Sequence, residues 1–170
     1  MASELHVDTI KDSGGTSNVH IAGAVLQVQS TTKTDDFTMS SQTYADVTGL
    51  SVVITPKFNT SKIFVSYVVH CMNSGSGMHV QVVRGSTAIL NGTGTGTVSS
   101  DVGLSFEEGS STQESVSHQF LDSPATTSAT TYKIQVRRNA TGNGTAAHVN
   151  RDLNGASKSS STITVMEIAQ

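Results

Sequence analysis

The sequence has few aromatic residues: no tryptophan, five phenylalanines and three tyrosines among 170 residues. A core built from many large aromatic side chains is therefore excluded. Leucine, isoleucine, valine and phenylalanine together contribute 39 residues, just above the fraction at which chains are usually disordered. These totals predict one domain with a thin hydrophobic core.

Charge is also sparse, with 10 Lys and Arg against 13 Asp and Glu and a net charge of −3. No basic patch is present for nucleic acid, and no cationic face is present for an anionic membrane. No apolar run approaches the roughly 20 residues needed to span a bilayer. The opening "MASELHVDTIKDSGG" carries acids where a signal peptide needs a basic start and an apolar block. We expect cytosolic synthesis, no nucleic-acid partner and no membrane insertion.

Reactive side chains are few. Cys71 is the single cysteine, so an intramolecular disulfide is excluded, and its apolar setting "IFVSYVVHCMN" indicates a small buried hydrophobe. No pair of the six histidines has metal-binding spacing. His70 and His118 fall on strand patterns and could meet in space. For both, a partnered histidine in a core or interface is favoured over a metal or pH role.

No catalytic motif is present. The sequence lacks G-x-S-x-G, and "GTGTGT" lacks both the spacing and the following helix of a phosphate-binding loop. Glu107 and Glu108 lie in a polar loop typical of solvated carboxylates. We expect no enzymatic activity, no catalytic residue, no metal and no cofactor. Whether the glycine-rich loop at 91–103 binds anything is left open.

What the sequence has in abundance is β-forming residues. Valine and isoleucine number 27 against seven leucines, and serine and threonine number 48. β-Branched side chains suit a pleated, half-buried surface and are mildly unfavourable in helices. No window places apolar residues at helical spacing for three turns. The composition therefore predicts an all-β protein without substantial helix.

Apolar residues alternate with polar ones in several short stretches. Examples are "AVLQVQS", "GLSVVITP", "KIFVSYVVHCM", "GMHVQVVRG", "SVSHQFL", "TYKIQVRR" and "STITVMEI". Turn-forming segments such as "NSGSG" and "TGNGT" separate them, because glycine and asparagine accept positive φ. Seven to nine such strands predict an antiparallel β-sandwich of jelly-roll type.

The first 24 residues differ from the rest. They contain two short alternations separated by a Gly-Gly break, which is too little to bury a core. We therefore divide the chain into an extended N-terminal attachment arm, residues 1–24, and a β-sandwich domain, residues 25–170. The arm must lie against another surface or stay loose, and its apolar residues are Leu5, Val7, Ile10, Val19 and Ile21.

The segment 62–72 is apolar on both faces, whereas a lone sandwich leaves one side of each sheet wet. Ile63, Val65, Tyr67 and Val69 form a uniformly bulky face, which we assign to the core. The opposite face mixes sizes and polarity, and association with copies of the same chain would cover it economically. The expected subunit-interface residues on that face are Phe64, Val68, His70 and Met72.

The segment "HVDTIKDSGGTSN" resembles the N-termini of tail-fibre and virion proteins of marine phages and cyanophages. The body is similar to the β-domain that follows such arms, through "GAVLQVQSTTKTDDFTMSSQTYADVTGLSVVITPKFNTSKIFVSYVV", "FLDSPATTSATTYKIQVR" and "STITVMEI". The resemblance covers nearly the whole chain. It implies a homotrimer whose arm anchors to the particle, through the apolar residues of the arm named above, while the β-domain projects. It carries over no catalytic residue.

The resemblance implies a non-enzymatic virion component, made in the host bacterial cytoplasm, that forms a fibre- or spike-like appendage. Its expected partners are copies of itself, other virion proteins of the capsid or tail, and a host surface glycan. One alternative is a capsid decoration (cement) protein that stabilises the shell. An alternative of another class is a carbohydrate-binding module. Sugar binding usually uses exposed aromatic rings. The chain has three tyrosines, Tyr44, Tyr67 and Tyr132, and we expect two of them to be buried.

Overall fold

The computed structural model describes residues 21–73, 78–89, 113–138, 146–152, 154–155 and 158–170, and within these ranges it contains strands and no helix. The all-β prediction is therefore confirmed. The strands are β1 (Val25–Lys33), β2 (Phe37–Met39), β3 (Ala45–Ile54), β4 (Lys62–Asn73), β5 (Met78–Arg84), β6 (Thr87–Ile89), β7 (Gln113–Asp122), β8 (Thr130–Arg138), β9 (Ala147–Val149) and β10 (Ser161–Ile168).

The strands form two antiparallel sheets. In the first sheet, β10 and β9 lie end to end along one edge of β4, and β7 pairs with its other edge. β1 pairs with the far edge of β10, and β2 pairs with the far edge of β9. The second sheet has the order β3-β8-β5-β6. The pairs are nested: β1 with β10, β3 with β8, β4 with β7, and β5 with β6. This nesting, divided between two packed sheets, is the arrangement of a jelly roll.

The core lies between the sheets and follows the period-2 patterns of the sequence. Ile63, Val65 and Val69 of β4 are 0% exposed, and Tyr67 is 2% exposed. The alternations expected in β3 and β8 are also confirmed, whereas β5 is buried on both faces, with His79 and Gln81 among its buried residues. The core-facing members of these three strands, all at most 5% exposed, include Leu50, Val52, Ile54, Met78, Val80, Val82, Tyr132, Ile134 and Val136.

Three short strands were not predicted. β2, β6 and β9 have three residues each, which is too short for an alternation to show. β2 and β9 pair with each other, and β9 also continues the pairing along β4. They exist because neighbouring strands present free hydrogen-bonding edges, which is a tertiary effect.

The first described residues are attached to the last ones. The amide of Gly23 donates to the carbonyl of Ala169 at 2.8 Å, and the amide of Ala169 donates to the carbonyl of Ala24 at 2.9 Å. The hydrogen-bonded ladder of β1 and β10 therefore extends to residues 23 and 24. Ile21 lies just outside this ladder and is 60% exposed.

Several expectations concern residues outside the described ranges. These are the arm residues Leu5, Val7, Ile10 and Val19, the carboxylates Glu107 and Glu108, the glycine-rich loop 91–103, and most of the two predicted turns. Among the described residues, none belongs to a helix of the length and apolarity that a membrane span requires.

Candidate interaction surface

The outer face of the first sheet is the candidate site, because its side chains point away from the core. Residues directly opposite one another on neighbouring antiparallel strands share a face. Phe64 of β4 lies opposite Met166 of β10 and Leu121 of β7. Met166 in turn lies opposite Val28 of β1. We call these four residues, Val28, Met166, Phe64 and Leu121, the outer row.

The outer row is accessible. Val28 is 50% exposed and Leu121 is 59% exposed, while Phe64 and Met166 are half-buried. Beside the row, Val25 lies opposite Ile168 and is 53% exposed. The result is a band of apolar side chains that crosses the sheet from β1 to β7.

Next to the outer row the face carries small hydroxyl groups. Thr164 of β10 lies opposite Ser30 of β1 and Ser66 of β4. The hydroxyls of Ser30 and Thr164 are 2.8 Å apart and hydrogen bond to each other. Uncharged hydroxyls that satisfy each other cost less to cover than charged groups do.

Three of the four predicted interface residues are partly accessible. Phe64, Val68 and His70 are half-buried on the outer face, and His70 Nδ1 lies 2.8 Å from the hydroxyl of Ser115 on β7. Met72 differs, because it is 2% exposed within the single chain. Its side chain is already covered, so it has no surface to offer a second subunit, and we remove it from the candidate surface.

His70 and His118 do not form a joint site. His70 lies opposite Ser115 on the outer face, whereas His118 lies opposite Tyr67, whose side chain points inward. His118 stacks on Phe120 with ring centroids 6.2 Å apart. The expectation that the two histidines could meet is therefore wrong, because β7 places them on opposite faces of the sheet.

Polar groups converge at one end of the sandwich, where Arg84, Asp122 and Tyr132 meet. Arg84 Nη1 lies 2.7 Å from both carboxylate oxygens of Asp122, and the Tyr132 hydroxyl donates to the same carboxylate at 2.6 Å. Burial, and then the hydrogen bond to Asp122, raise the pKa of Tyr132. The phenol stays protonated and the two charges neutralise each other, so this cluster joins β5, β7 and β8 without supplying a nucleophile.

A shallow cleft of about 280 Å³ lies beside this cluster, between the β5–β6 turn and the segment before β8. Arg84, Pro124 and Thr126 are among its lining residues. No aromatic ring lines it. Tyr67 and Tyr132 are buried as expected, and the guanidinium of Arg137 lies over the ring of half-buried Tyr44 at 5.3 Å. Tyr67 and Tyr132 are therefore closed to a sugar, and a guanidinium covers one face of the Tyr44 ring.

Cys71 is 2% exposed, which confirms the prediction of a small buried hydrophobe. Burial raises the pKa of its thiol, so the thiol is not activated as a nucleophile. Within the part of the chain that the structure describes, no three histidine, cysteine, aspartate or glutamate side chains are grouped closely enough to hold a metal ion.

Sequence reasoning found Phe64 and missed the rest of the outer row. A signal was present, because Met166 and Ile168 put apolar residues on the second face of "STITVMEI". Only the pairing register shows that these residues align with Phe64, Val28 and Leu121.

No family model matches the chain, and no curated protein matches it. Solved structures of infectious bursal disease virus are similar to it. The Gt strain structure has 14% identity and a TM-score of 0.48, covering 85% of this chain and 38% of that chain. The T13 viral particle has 12% identity and a TM-score of 0.45, covering 96% and 40%. The virus-derived T=1 particles have 10% identity and a TM-score of 0.44, covering 86% and 37%.

The chain thus spans about two fifths of the length of these viral proteins. With TM-scores below 0.5, the likeness adds nothing to the fold that the nested strand pairs already establish.

Proposed function

We propose that this chain is a non-enzymatic structural protein of a phage virion. In this proposal it forms a homotrimeric fibre- or spike-like appendage, is anchored by its N-terminal arm, and projects its jelly roll toward the host. The observation that carries the proposal is the outer face, on which Lys62 is the charged side chain among the described strand residues, with its accessible outer row. Monomeric proteins seldom expose a contiguous apolar surface without a partner for it.

Two further observations support a structural role. The two-sheet jelly roll is an architecture that viral capsid domains use, although it also occurs in lectins. The cluster of Arg84, Asp122 and Tyr132 is a neutralised ion pair with a protonated phenol and supplies no activated group. The sequence resemblance of residues 6–18 to phage virion arms supplies the phage assignment.

The test has two parts. In light scattering at micromolar concentration, the purified chain should have a mass about three times 17.7 kDa. A density map of the particle should then contain the chain as an appendage. A map that places it flat on the capsid shell would favour the decoration protein, and its absence from purified particles would contradict the virion role.

A further inference from the structure

The two sheets of the jelly roll are joined across one end by an ion pair. Arg84 lies opposite Tyr132 in the second sheet, and Asp122 lies opposite Ile63 in the first. Tyr132 and Ile63 are buried in the core, so Arg84 and Asp122 face each other across the gap between the sheets. The cleft of about 280 Å³ lies beside this pair. Its volume is close to the lower limit of about 300 Å³ for ligand-binding sites.

Arg84 is held in place with part of its guanidinium group still available. Nη1 contacts both carboxylate oxygens of Asp122 at 2.7 Å, and the Tyr132 hydroxyl donates to that carboxylate at 2.6 Å. The hydrogen bonds that Arg84 makes within the described residues use Nη1 alone. Its side chain is 29% exposed and lines the cleft. Because a guanidinium carries its N–H donors in a planar fork, those of Nε and Nη2 remain to bind a ligand.

The other walls of the cleft combine hydroxyl groups with small apolar surfaces. Thr126 and Thr130 are half-buried lining residues. The Thr126 hydroxyl accepts from the Ser128 amide at 3.0 Å, so its own proton can be donated to a ligand. The Thr130 hydroxyl donates to the Ser128 carbonyl at 3.0 Å, so its oxygen can accept. Pro124 and Ala129 add apolar surface to the same lining.

The loop that contributes Pro124 and Thr126 is held in an unusual backbone conformation. Ala125, between them, has a φ of +51°, in the left-handed region that residues other than glycine rarely adopt. Gly85 and Thr131 also line the cleft, and the amide of Gly85 donates to the carbonyl of Thr131 at 2.8 Å. Such strain persists where the surrounding structure imposes it, and it clusters at ligand-binding sites. A wall that is fixed before binding loses little conformational freedom when a ligand arrives.

We propose that this cleft, which we call the end cleft, binds a neutral saccharide. Adjacent hydroxyls of a sugar ring can accept from Nε and Nη2 of Arg84, and the threonine hydroxyls can bond to its remaining oxygens. The C–H groups of the ring can pack on Pro124 and Ala129, which take the place of an aromatic ring. The inference deepens the proposed function and rests on the part of it in which the jelly roll projects toward the host, with a glycan of the host surface as the ligand.

Charge favours a neutral ligand over an acidic one. The guanidinium of Arg84 is already paired with Asp122, whose side chain is 12% exposed. A second carboxylate on Arg84 would lie close to Asp122, and the two negative charges would repel each other. Lys62 is not among the lining residues, and its Nζ donates to the Ser123 hydroxyl at 2.6 Å. Hydroxyl groups of a ligand can accept from Arg84 without this repulsion.

Saturation-transfer NMR with the full chain tests the inference. The probes are neutral mono- and disaccharides of hexoses, 6-deoxyhexoses and N-acetylhexosamines, and a parallel set that contains uronic acids. We expect binding of neutral probes with a dissociation constant on the order of 1 mM, because the cleft is small and open. Tighter binding by the uronic-acid set would overturn the choice of a neutral ligand. No binding by any probe would overturn the site.

Matched threonine variants locate the site. Thr126→Val removes the hydroxyl of a lining residue, whereas Thr127→Val makes the same change at an exposed neighbour outside the lining. We expect Thr126→Val to weaken binding about fivefold, since one hydrogen bond is lost. Thr127→Val should bind as the wild type does, and so should Thr126→Ser, which keeps the hydroxyl. Equal binding by the two valine variants would place the saccharide elsewhere and refute the end cleft.

A variant of Arg84 tests the donor that carries the proposal. Arg84→Lys keeps a cation beside Asp122 and lacks the second pair of donors, so binding should weaken at least about tenfold. Circular dichroism checks that the variant is folded, and the threonine variants decide the test if it is not. A chain that is present in virions and binds no probe leaves the virion role intact and refutes this inference. A chain that binds the probes and is absent from virions does the reverse.

Discussion

At the scale of single residues, Glu167 shows how this fold uses a buried charge. It is 0% exposed, yet Gln27 Nε2 donates to it at 2.6 Å and the amide of Lys57 donates to it at 2.7 Å. Burial alone would raise the pKa of this carboxyl, but hydrogen bonds from Gln27 and from the backbone amides of Lys57 and Phe58 lower it below its usual value. The carboxylate thereby ties the loop after β3 to β10.

We predict that Glu167→Gln lowers the free energy of unfolding by about 1–3 kcal/mol at pH 7, because charge-assisted hydrogen bonds are lost and amide donors are left facing an NH₂ group. The pKa of Glu167 is lower in the folded chain than in the unfolded chain. The ionised carboxylate therefore contributes its full stabilisation of the folded state at pH values above the pKa of the unfolded chain. This stabilisation is lost as pH falls through the folded value. The stability gap between wild type and variant, measured in urea, should therefore shrink below about pH 4. A gap independent of pH would show that the ionised form is not what stabilises the loop.

Asn150 is a second residue whose role is set by the fold. Its φ is +63°, its side chain is fully buried, and its amide donates to the carbonyls of Lys33 and Asp35. Its side-chain oxygen accepts a hydrogen bond from Ser161 at 2.6 Å. Asparagine suits this position because it tolerates the left-handed region and supplies both donors and an acceptor.

Two substitutions separate these contributions. Asn150→Gly keeps the backbone conformation and removes the hydrogen bonds, so we expect a loss of about 1–3 kcal/mol. Asn150→Ala adds the strain of a left-handed alanine and should be less stable than the glycine variant by about 1 kcal/mol. Urea midpoints measure both. Equal midpoints for glycine and alanine would contradict a contribution from the positive φ.

At the scale of the element, β4 has two faces with different tasks. Its inner side chains lie in the core, and its outer side chains are half-buried at Phe64, Ser66 and Val68. Val65→Asp should prevent folding, because an unpaired carboxylate in the core costs several kcal/mol. Val68→Asp should keep the β-sheet circular dichroism signal, since its carboxylate reaches water in the single chain. A folded Val65→Asp protein, or an unfolded Val68→Asp protein, would show that the faces are assigned wrongly.

At the scale of the whole molecule, the boundary of the arm can be tested by deletion. The first described backbone contact with the end of the chain involves Gly23 and Ala169. Removing residues 1–20 should therefore leave a soluble domain with the thermal midpoint of the full chain within a few degrees. The same deletion should abolish incorporation into particles. Normal loading of the truncated chain would show that the arm is not the anchor, and unfolding would show that it belongs to the core.

Local patterns determined the class of this protein and much of its core. The excess of β-branched residues led to the all-β prediction, and period-2 alternation identified Val65, Val80 and Ile134 as buried before any strand was paired. These predictions hold because a strand's side chains alternate between faces whatever its neighbours are.

Pairing between distant strands decided the rest. Val28 and Leu121 are more than ninety positions apart in the sequence, and only the registers of β1, β10, β4 and β7 align them with Phe64. The same registers separate His70 from His118. Met72 is also buried in the folded chain, whereas the strand pattern alone predicts that its side chain is free to contact a second subunit. Alternation within a strand specifies the face on which each side chain lies. The hydrogen-bonding register between distant strands decides which side chains of other strands lie beside it.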